Sequence, residues 1–270
     1  MPELAEVEVA RRNVARWWEG KQAVEVVVHD AKVGRGDAAA LERVLSGRVE
    51  SVDRRGKHLI VRMEGGEALM FHFRMTGKIV SSQVPDPRFA RLAWRVPGEG
   101  WLVFKDQRRL GEVWVFGVGE VDAHEPIAHM GPEPYGLTGE ALAELFGDSK
   151  RRVKDLLLDQ RVIAGVGNIA VSELFWRVGM APTARAHTVD EELLDALARE
   201  MPPYFDWLIE GQMADEIVYL GESGAGQADN PFDVYGREGE ACRSCEAGVV
   251  ERVVFGGRST YFCPSCQPVK

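Results

Sequence analysis

The sequence predicts an α+β chain: a helix leading into an antiparallel β-sandwich or barrel, then a helical region, then a small cysteine-bearing hairpin. Three observations carry this. Short apolar segments separated by turn residues fill the stretch from Ala23 to about Phe116, the regular spacing of an antiparallel β-domain. Helical periodicity replaces it after residue 138. The four cysteines are confined to the last thirty residues, as Cys242-x2-Cys245, 17 residues, and Cys263-x2-Cys266.

Taken in order, residues Glu3 to Trp18 read as a helix, because Val7, Ala10, Val14 and Trp17 or Trp18 recur on one face and Gly20 stands where it would stop. Strands are expected at Val24–Val28, Leu59–Met63, Ala68–Phe73, Leu92–Val96, Trp101–Lys105 and Glu112–Phe116. A short helix over Ala38–Leu45 interrupts them. Three connections are basic or polar: Arg54-Arg55-Gly56-Lys57-His58 as a turn, Phe71 to Lys78 after a strand, and Asp106 to Gly111. Together they offer positive charge of the kind a phosphate surface needs. Pro126 to Leu137 reads as a linker. Glu140–Phe146 opens the helical region, a second helix begins at Lys150-Arg151-Arg152 and runs to about Asp159, and a third covers Ile169–Val178. The glycine turn between the last two, Ala164-Gly165-Val166-Gly167-Asn168, would let the backbone approach a phosphate at a helix N-terminus. Glu191–Leu208 adds packing helix, and Gln212 to Asn230 reads as a glycine-rich loop.

The paired CxxC knuckles fit a four-thiolate structural zinc site, with two disulfides as the alternative. The hairpin between them carries Arg258 at its tip. A net charge of −9 argues against nucleic-acid binding unless the basic residues gather on one face. At 45% hydrophobic residues the chain builds a core, and no apolar run reaches a membrane span. A cytoplasmic protein is expected.

The first residues, Met1-Pro2-Glu3-Leu4-Ala5-Glu6, admit two readings. In one, Pro2 and Glu3 are a first-turn proline and a dipole-friendly acid. In the other, Met1 is trimmed and Pro2 becomes a terminal secondary amine with a pKa of roughly 8. Such an amine attacks carbonyl carbons and forms an iminium, with Glu3 moving protons and Glu6 one turn further on.

These pieces together resemble the bacterial formamidopyrimidine-DNA glycosylase and endonuclease VIII family over essentially the whole chain. The matching motifs are the Pro-Glu-Leu-x-Glu-Val-Glu start, Arg-Arg-Gly-Lys at 54–57, His-x-x-Met at 72–75, Asp-x-Arg-Arg at 106–109 and Gly-Pro-Glu-Pro at 131–134. Further on come Leu-Leu-x-Asp-Gln at 156–160, Ala-Gly-Val-Gly-Asn-Ile at 164–169, Val-Tyr-Gly-Arg at 234–237 and the closing Phe-Cys-Pro-x-Cys-Gln. The resemblance implies an N-terminal β-sandwich catalytic domain over 1–125, a linker over 126–138, a helix-two-turn-helix domain over 139–235 and a zinc finger over 236–270. It implies a DNA glycosylase/AP lyase with Pro2, Glu3, Lys57 and Arg258 as catalytic groups and Glu6 and Glu173 in support. His72, Met75, Arg108, Leu110, Lys154, Gly167, Asn168 and Tyr235 would contact DNA, and Cys242, Cys245, Cys263 and Cys266 would hold one Zn2+. The implied partner is double-stranded DNA with damaged bases or abasic sites, bound by a monomer in a bacterial cytoplasm. The sequence departs from the family pattern at Ala5, Arg74, Gln107, Leu110 and Ala170. The alternatives are a paralogue that binds damaged DNA without cutting it, and an RNA-binding zinc-ribbon protein.

Overall fold

The computed structural model describes residues 2–35, 37–213, 230–245 and 247–268. Two compact units emerge: Met1–His129 with Leu208–Tyr219, and Met130–Trp207 with Leu220–Lys270.

The first unit opens with α1 (Leu4–Trp18). Glu3 is its N-cap, so the expected helix loses one residue and gains a start signal. Glu3 and Glu6 close a reciprocal capping box, with the Glu3 backbone N–H donating to Glu6 Oε2 at 2.9 Å. Two antiparallel sheets follow. One is ordered β1 (Glu25–Val28), β6 (Ala90–Val96), β7 (Gly100–Lys105), β5 (Lys78–Ser82), and the other β2 (Val49–Arg55), β3 (His58–Met63), β4 (Ala68–His72), β8 (Glu112–Phe116). Between β1 and β2 lies the expected short helix α2 (Ala38–Leu45), with Asp37 Oδ1 accepting the Ala40 N–H at 2.8 Å.

The sandwich core is aromatic. Trp18 of α1 and Phe71 of β4 meet Trp94 of β6 at centroid distances of 5.1 and 6.1 Å, and Phe71 meets Phe104 of β7 at 5.9 Å. One helix and both sheets therefore converge on buried rings, each large enough to contribute several times a methylene's burial energy. Ala5, where the family pattern has proline, is fully buried in the first turn of α1.

Two strands depart from expectation. Arg54 and Arg55, expected in a turn, belong to β2, and the turn shrinks to Gly56-Lys57. Gly56 has φ 54°, as the first central position of a II′ hairpin turn requires. Lys78, expected as the end of a basic connection, instead opens a strand, β5 (Lys78–Ser82), against β7.

In the second unit, α4 (Gly139–Phe146) starts at Thr138, whose Oγ1 accepts the Ala141 N–H at 3.1 Å. Then come α5 (Val153–Leu157), α6 (Asn168–Val178) and α7 (Glu191–Gly211), whose last residues pass into the first unit. The second helix ends two residues short of expectation, where the Asp159–Gly167 turn takes over. Gln160 builds that turn, accepting the Gly165 N–H at 2.9 Å and donating to the Val166 carbonyl at 3.1 Å. The stretch expected as a linker contains the boundary between the two units and is structured. Glu125–Ala128 is α3, a short helix, and Gly131 and Pro132 hydrogen-bond to Gln160 and Ala164. A Cβ on Gly131 would lie 2.3 Å from the Val162 carbonyl oxygen, so only glycine permits the approach. The finger's hairpin is β9 (Glu251–Phe255) and β10 (Arg258–Phe262). Most of the expected Gln212–Asn230 loop lies outside the described residues. No described helix is long and apolar enough to cross a membrane.

Candidate nucleic-acid interface and metal centre

At the start of α1, Pro2 is buried and Glu3 is 4% exposed. Glu6 uses both oxygens: Oε2 takes the Glu3 N–H, and Oε1 accepts from Gln212 Nε2 at 3.2 Å. One carboxylate thus ties the chain's first residues to the segment that follows α7. Two residues on, Glu8 gathers Arg11, Arg12 and Arg54. Burial opposes ionisation there, yet the three guanidinium groups hold the Glu8 carboxyl below the usual range. Arg54 also donates to the Gly56 carbonyl at 3.0 Å, which fixes the turn carrying Lys57 to α1, the helix that follows Pro2 and Glu3. Lys57 is 8% exposed.

A second group surrounds Asp106, a residue the motif contains but whose role its residue type does not reveal. Its carboxylate is 1% exposed. It accepts the backbone N–H groups of Leu110 at 2.7 Å, Gly111 at 2.6 Å and Arg108 at 3.1 Å, together with the Thr76 hydroxyl. One buried acid therefore shapes both connections on which Met75, Arg108 and Leu110 stand, and those three side chains project outward, with Met75 36% and Leu110 45% exposed. Asp106→Ala is expected to lower stability by roughly 1–3 kcal/mol for each buried donor left unmet. Urea denaturation measures this, and unchanged stability would remove Asp106 from the role.

Arg74, where the family pattern has glycine, sits at φ 53°, a left-handed conformation that costs a branched-off side chain about 1 kcal/mol or more. Three contacts hold it there. Its N–H donates to His72 Nδ1 at 3.0 Å, and its guanidinium reaches Glu112 Oε2 through Nη2 at 2.7 Å and Nε at 3.2 Å. Glu112 Oε1 meets Arg35 at 3.3 Å. Arg35 is itself left-handed at φ 57° and lies over the Trp114 ring at 5.7 Å.

His72, expected at the DNA surface, is half-buried, its ring edge-on to that of buried His58 with centroids 4.7 Å apart. Burial chiefly, then repulsion from nearby cations, lowers His58 to about 4; burial, His58 and Arg74 lower His72 to about 3. Both are neutral in the fold. Unfolded histidine titrates near 6.5, so below that pH the unfolded chain takes up protons that the folded chain refuses. Stability is therefore unaffected by this pair above about pH 6.5. As the pH falls toward 4 it drops by up to about 1.4 kcal/mol per pH unit for each histidine. Thermal melts across this range should show the loss, with a shallower slope in His72→Gln. Equal slopes would refute the assignment.

In the second unit, Lys154 is corrected. Expected to contact DNA, it is fully buried, and its ammonium donates to the Ser259 carbonyl at 3.2 Å and to the Thr260 hydroxyl. The reason is that β10 supplies both acceptors, the Ser259 carbonyl and the Thr260 hydroxyl. Asn168, first residue of α6, donates to the same Ser259 carbonyl at 2.8 Å, and its Oδ1 is buried with no hydrogen-bond partner among the described residues. Gly167 is buried as the α6 N-cap. Arg258, next to Ser259, is exposed, and the two-residue turn before it is Gly256-Gly257, with φ 55° and 76°, a I′ turn that only such residues adopt readily. Glu173, in the middle of α6, is fully buried. It accepts the backbone N–H groups of Asp233, Val234 and Tyr235 at 2.8–2.9 Å. Burial pushes its carboxyl above the ordinary range against those three donors. It thereby seats Tyr235, whose ring meets Tyr261 edge-on at 4.9 Å.

The four cysteine sulfurs lie within 4.8 Å of one another. Cys242 and Cys266 are 3.8 Å apart and Cys245 and Cys263 are 3.7 Å apart, which excludes the disulfide alternative. A tetrahedral metal with thiolates at about 2.3 Å separates its sulfurs by about 3.8 Å, so the donor set fits zinc. A Cβ on Gly248 would sit 2.4 Å from Cys263 Sγ, so glycine leaves the room the sulfurs need. The site holds one structural zinc ion.

Three family models match the chain in order. They are the formamidopyrimidine-DNA glycosylase N-terminal domain over residues 1–113, the formamidopyrimidine-DNA glycosylase H2TH domain over 130–212, and the zinc finger found in FPG and IleRS over 239–269. A β-sandwich opening on Pro-Glu, a helix-two-turn-helix and a four-cysteine finger define a three-module chain of the glycosylase class. The chain belongs to the formamidopyrimidine-DNA glycosylase family. It is 36% identical to the formamidopyrimidine-DNA glycosylase of Gluconobacter oxydans, covering 99% of this chain and all of that one. Among solved structures it is similar to MutM (Fpg) of Thermus thermophilus (33% identity, TM-score 0.83, all of both chains). It also resembles Lactococcus lactis Fpg in complex with DNA containing an abasic site (26% identity, TM-score 0.86, 99% of this chain and 100% of that one).

Proposed function

We propose that this chain is a bifunctional DNA glycosylase/AP lyase that excises damaged bases from duplex DNA and cuts the strand. The enzyme flips the damaged nucleotide out of the stack. The Pro2 secondary amine then attacks the sugar C1′, forming an N–C1′ bond as the bond to the base breaks and the base departs with its electron pair; the nitrogen gives up its proton, and Glu3 delivers one to O4′ as the C1′–O4′ bond breaks and the sugar ring opens. The resulting iminium acidifies C2′. Its deprotonation expels the 3′ phosphate, and a second elimination expels the 5′ phosphate. Lys57 and Arg258 serve these steps as charged partners of the phosphates around the lesion. Met75, Arg108 and Leu110 fill the space the base vacates, since leaving a gap in the stack costs a few kcal/mol.

The observation carrying this reading is the buried Pro2-Glu3 pair, its backbone held by Glu6. Asn168, Gly167 and Tyr235 belong to the DNA-holding set; Lys154 acts from beneath, through Ser259 and Thr260. The enzyme works as a monomer on double-stranded DNA, in a bacterial cytoplasm. Incubating the processed protein with an abasic-site duplex and borohydride is expected to trap a covalent protein–DNA adduct. A panel of single-lesion duplexes then gives the preferred base. Tight binding without adduct or nick would favour the non-cutting alternative.

A further inference from the structure

Trp176 stands on α6, the helix that begins with Asn168 and carries Glu173. Its indole Nε1 lies 3.3 Å from Cys242 Sγ. An indole nitrogen only donates, so the direction of this bond is fixed and the sulfur accepts. Cys242 is 2% exposed, and its sulfur also accepts the Ser244 backbone N–H at 3.5 Å. The second knuckle is fastened to the same helix end. Gln267 is fully buried, takes the Cys263 N–H on Oε1 at 2.9 Å, and gives its own N–H to the Met180 carbonyl at 2.8 Å. Gly179, which caps α6 at φ 71°, would bring a Cβ to 3.3 Å from the Cys266 carbonyl. Both knuckles therefore rest on the C-terminal end of α6 and the residues just after it, and at Trp176 the helix touches a sulfur.

We infer that Trp176 is an outer-shell partner of the zinc site, donating its indole N–H to the Cys242 thiolate and so orienting that ligand from the helix that bears Asn168. Outer-shell donors fix a ligand's orientation and tune its electron density, and removing one costs metal affinity. A donor on α6 makes the finger's grip on zinc depend on a residue outside the finger. Trp176 is a positioning residue. The inference rests on the finger holding zinc and is independent of the lyase chemistry, because its readouts come from the metal.

Trp176→Phe keeps an aromatic ring in place and removes the one N–H. In competition with a chromophoric chelator, zinc affinity of the variant is expected to fall roughly tenfold or more. In the cobalt-substituted protein the thiolate-to-metal charge-transfer band should move to lower energy, because the sulfur lone pairs are no longer stabilised by the donor. A ring that only packs would leave that band where it is. A second measurement needs no variant. With NMR-active cadmium in the site, scalar coupling through the hydrogen bond should connect the metal to one indole proton among the seven tryptophans of the chain, that of Trp176. Unchanged affinity and an unmoved band in Trp176→Phe, or cadmium coupled to no indole proton in the parent protein, would overturn the assignment.

Discussion

Retaining Met1 on the chain is expected to abolish strand cutting, by on the order of 10^4 to 10^6, the scale of losing a nucleophile. With Met1 present the Pro2 nitrogen is a planar amide whose lone pair is delocalised into the carbonyl, and it cannot attack a sugar carbon. Pro2→Gly is milder, because trimming then leaves a primary amine in the same place. It should give a weaker borohydride adduct rather than none. Binding to an uncleavable abasic analogue should survive in both, since the groups that hold phosphate are untouched. Intact-mass measurement reports the state of the terminus in the same sample. Full cutting by protein that still carries Met1 would rule out the proline mechanism.

The second large effect concerns zinc. Stripping the metal, or changing Cys245 to Ala, is expected to unfold residues 239–268 while the sandwich stays folded. The finger has two strands of five residues, and an isolated hairpin of that size is marginal in water. A four-thiolate zinc supplies about 10–16 kcal/mol of apparent binding energy to such modules. With the hairpin gone, the Ser259 carbonyl no longer receives Lys154 and Asn168, and Arg258 loses its mount. Two charge-assisted contacts at about 1.5–3 kcal/mol each put the loss in DNA affinity at roughly a hundredfold to ten-thousandfold. Hydrogen exchange should show residues 251–262 deprotected and β2, β3 and β4 unchanged. A metal-free protein with a protected hairpin and unaltered affinity would refute this.

Local chemistry explains why much of the molecule was readable in the sequence. Alternating apolar segments marked the strands of the sandwich, and two CxxC pairs sufficed for the metal site, because thiolate spacing depends only on the chain near each knuckle. What escaped depends on residues far apart. Arg54 and Arg55 read as turn because their charge outweighed their pairing with β3; in the fold Glu8 neutralises Arg54 and frees it to be strand. Lys154 read as surface because lysine is rarely buried, and only the arrival of β10 over α5 supplies the acceptors that bury it. Asp106 and Gln160 each satisfy several backbone groups of their own loops, Gln267 joins Cys263 to Met180, and no residue type announces that. The Pro126–Leu137 stretch carried every composition mark of a linker, yet Gly131 and Pro132 serve close contact with the Asp159–Gly167 turn.

Glu112 has one further consequence. Two arginines in left-handed conformations, Arg35 and Arg74, draw on its two oxygens, so substitutions at these three positions will be epistatic. A glycine placed at 74 relieves a backbone that an alanine there would leave strained, and it does so whether or not the acid remains. Loss of the acid while both arginines stay removes the restraint on each at once, and the double change will not equal the sum of the single ones. The left-handed arginine beside Met75 therefore costs the fold least while the Glu112 carboxylate is present.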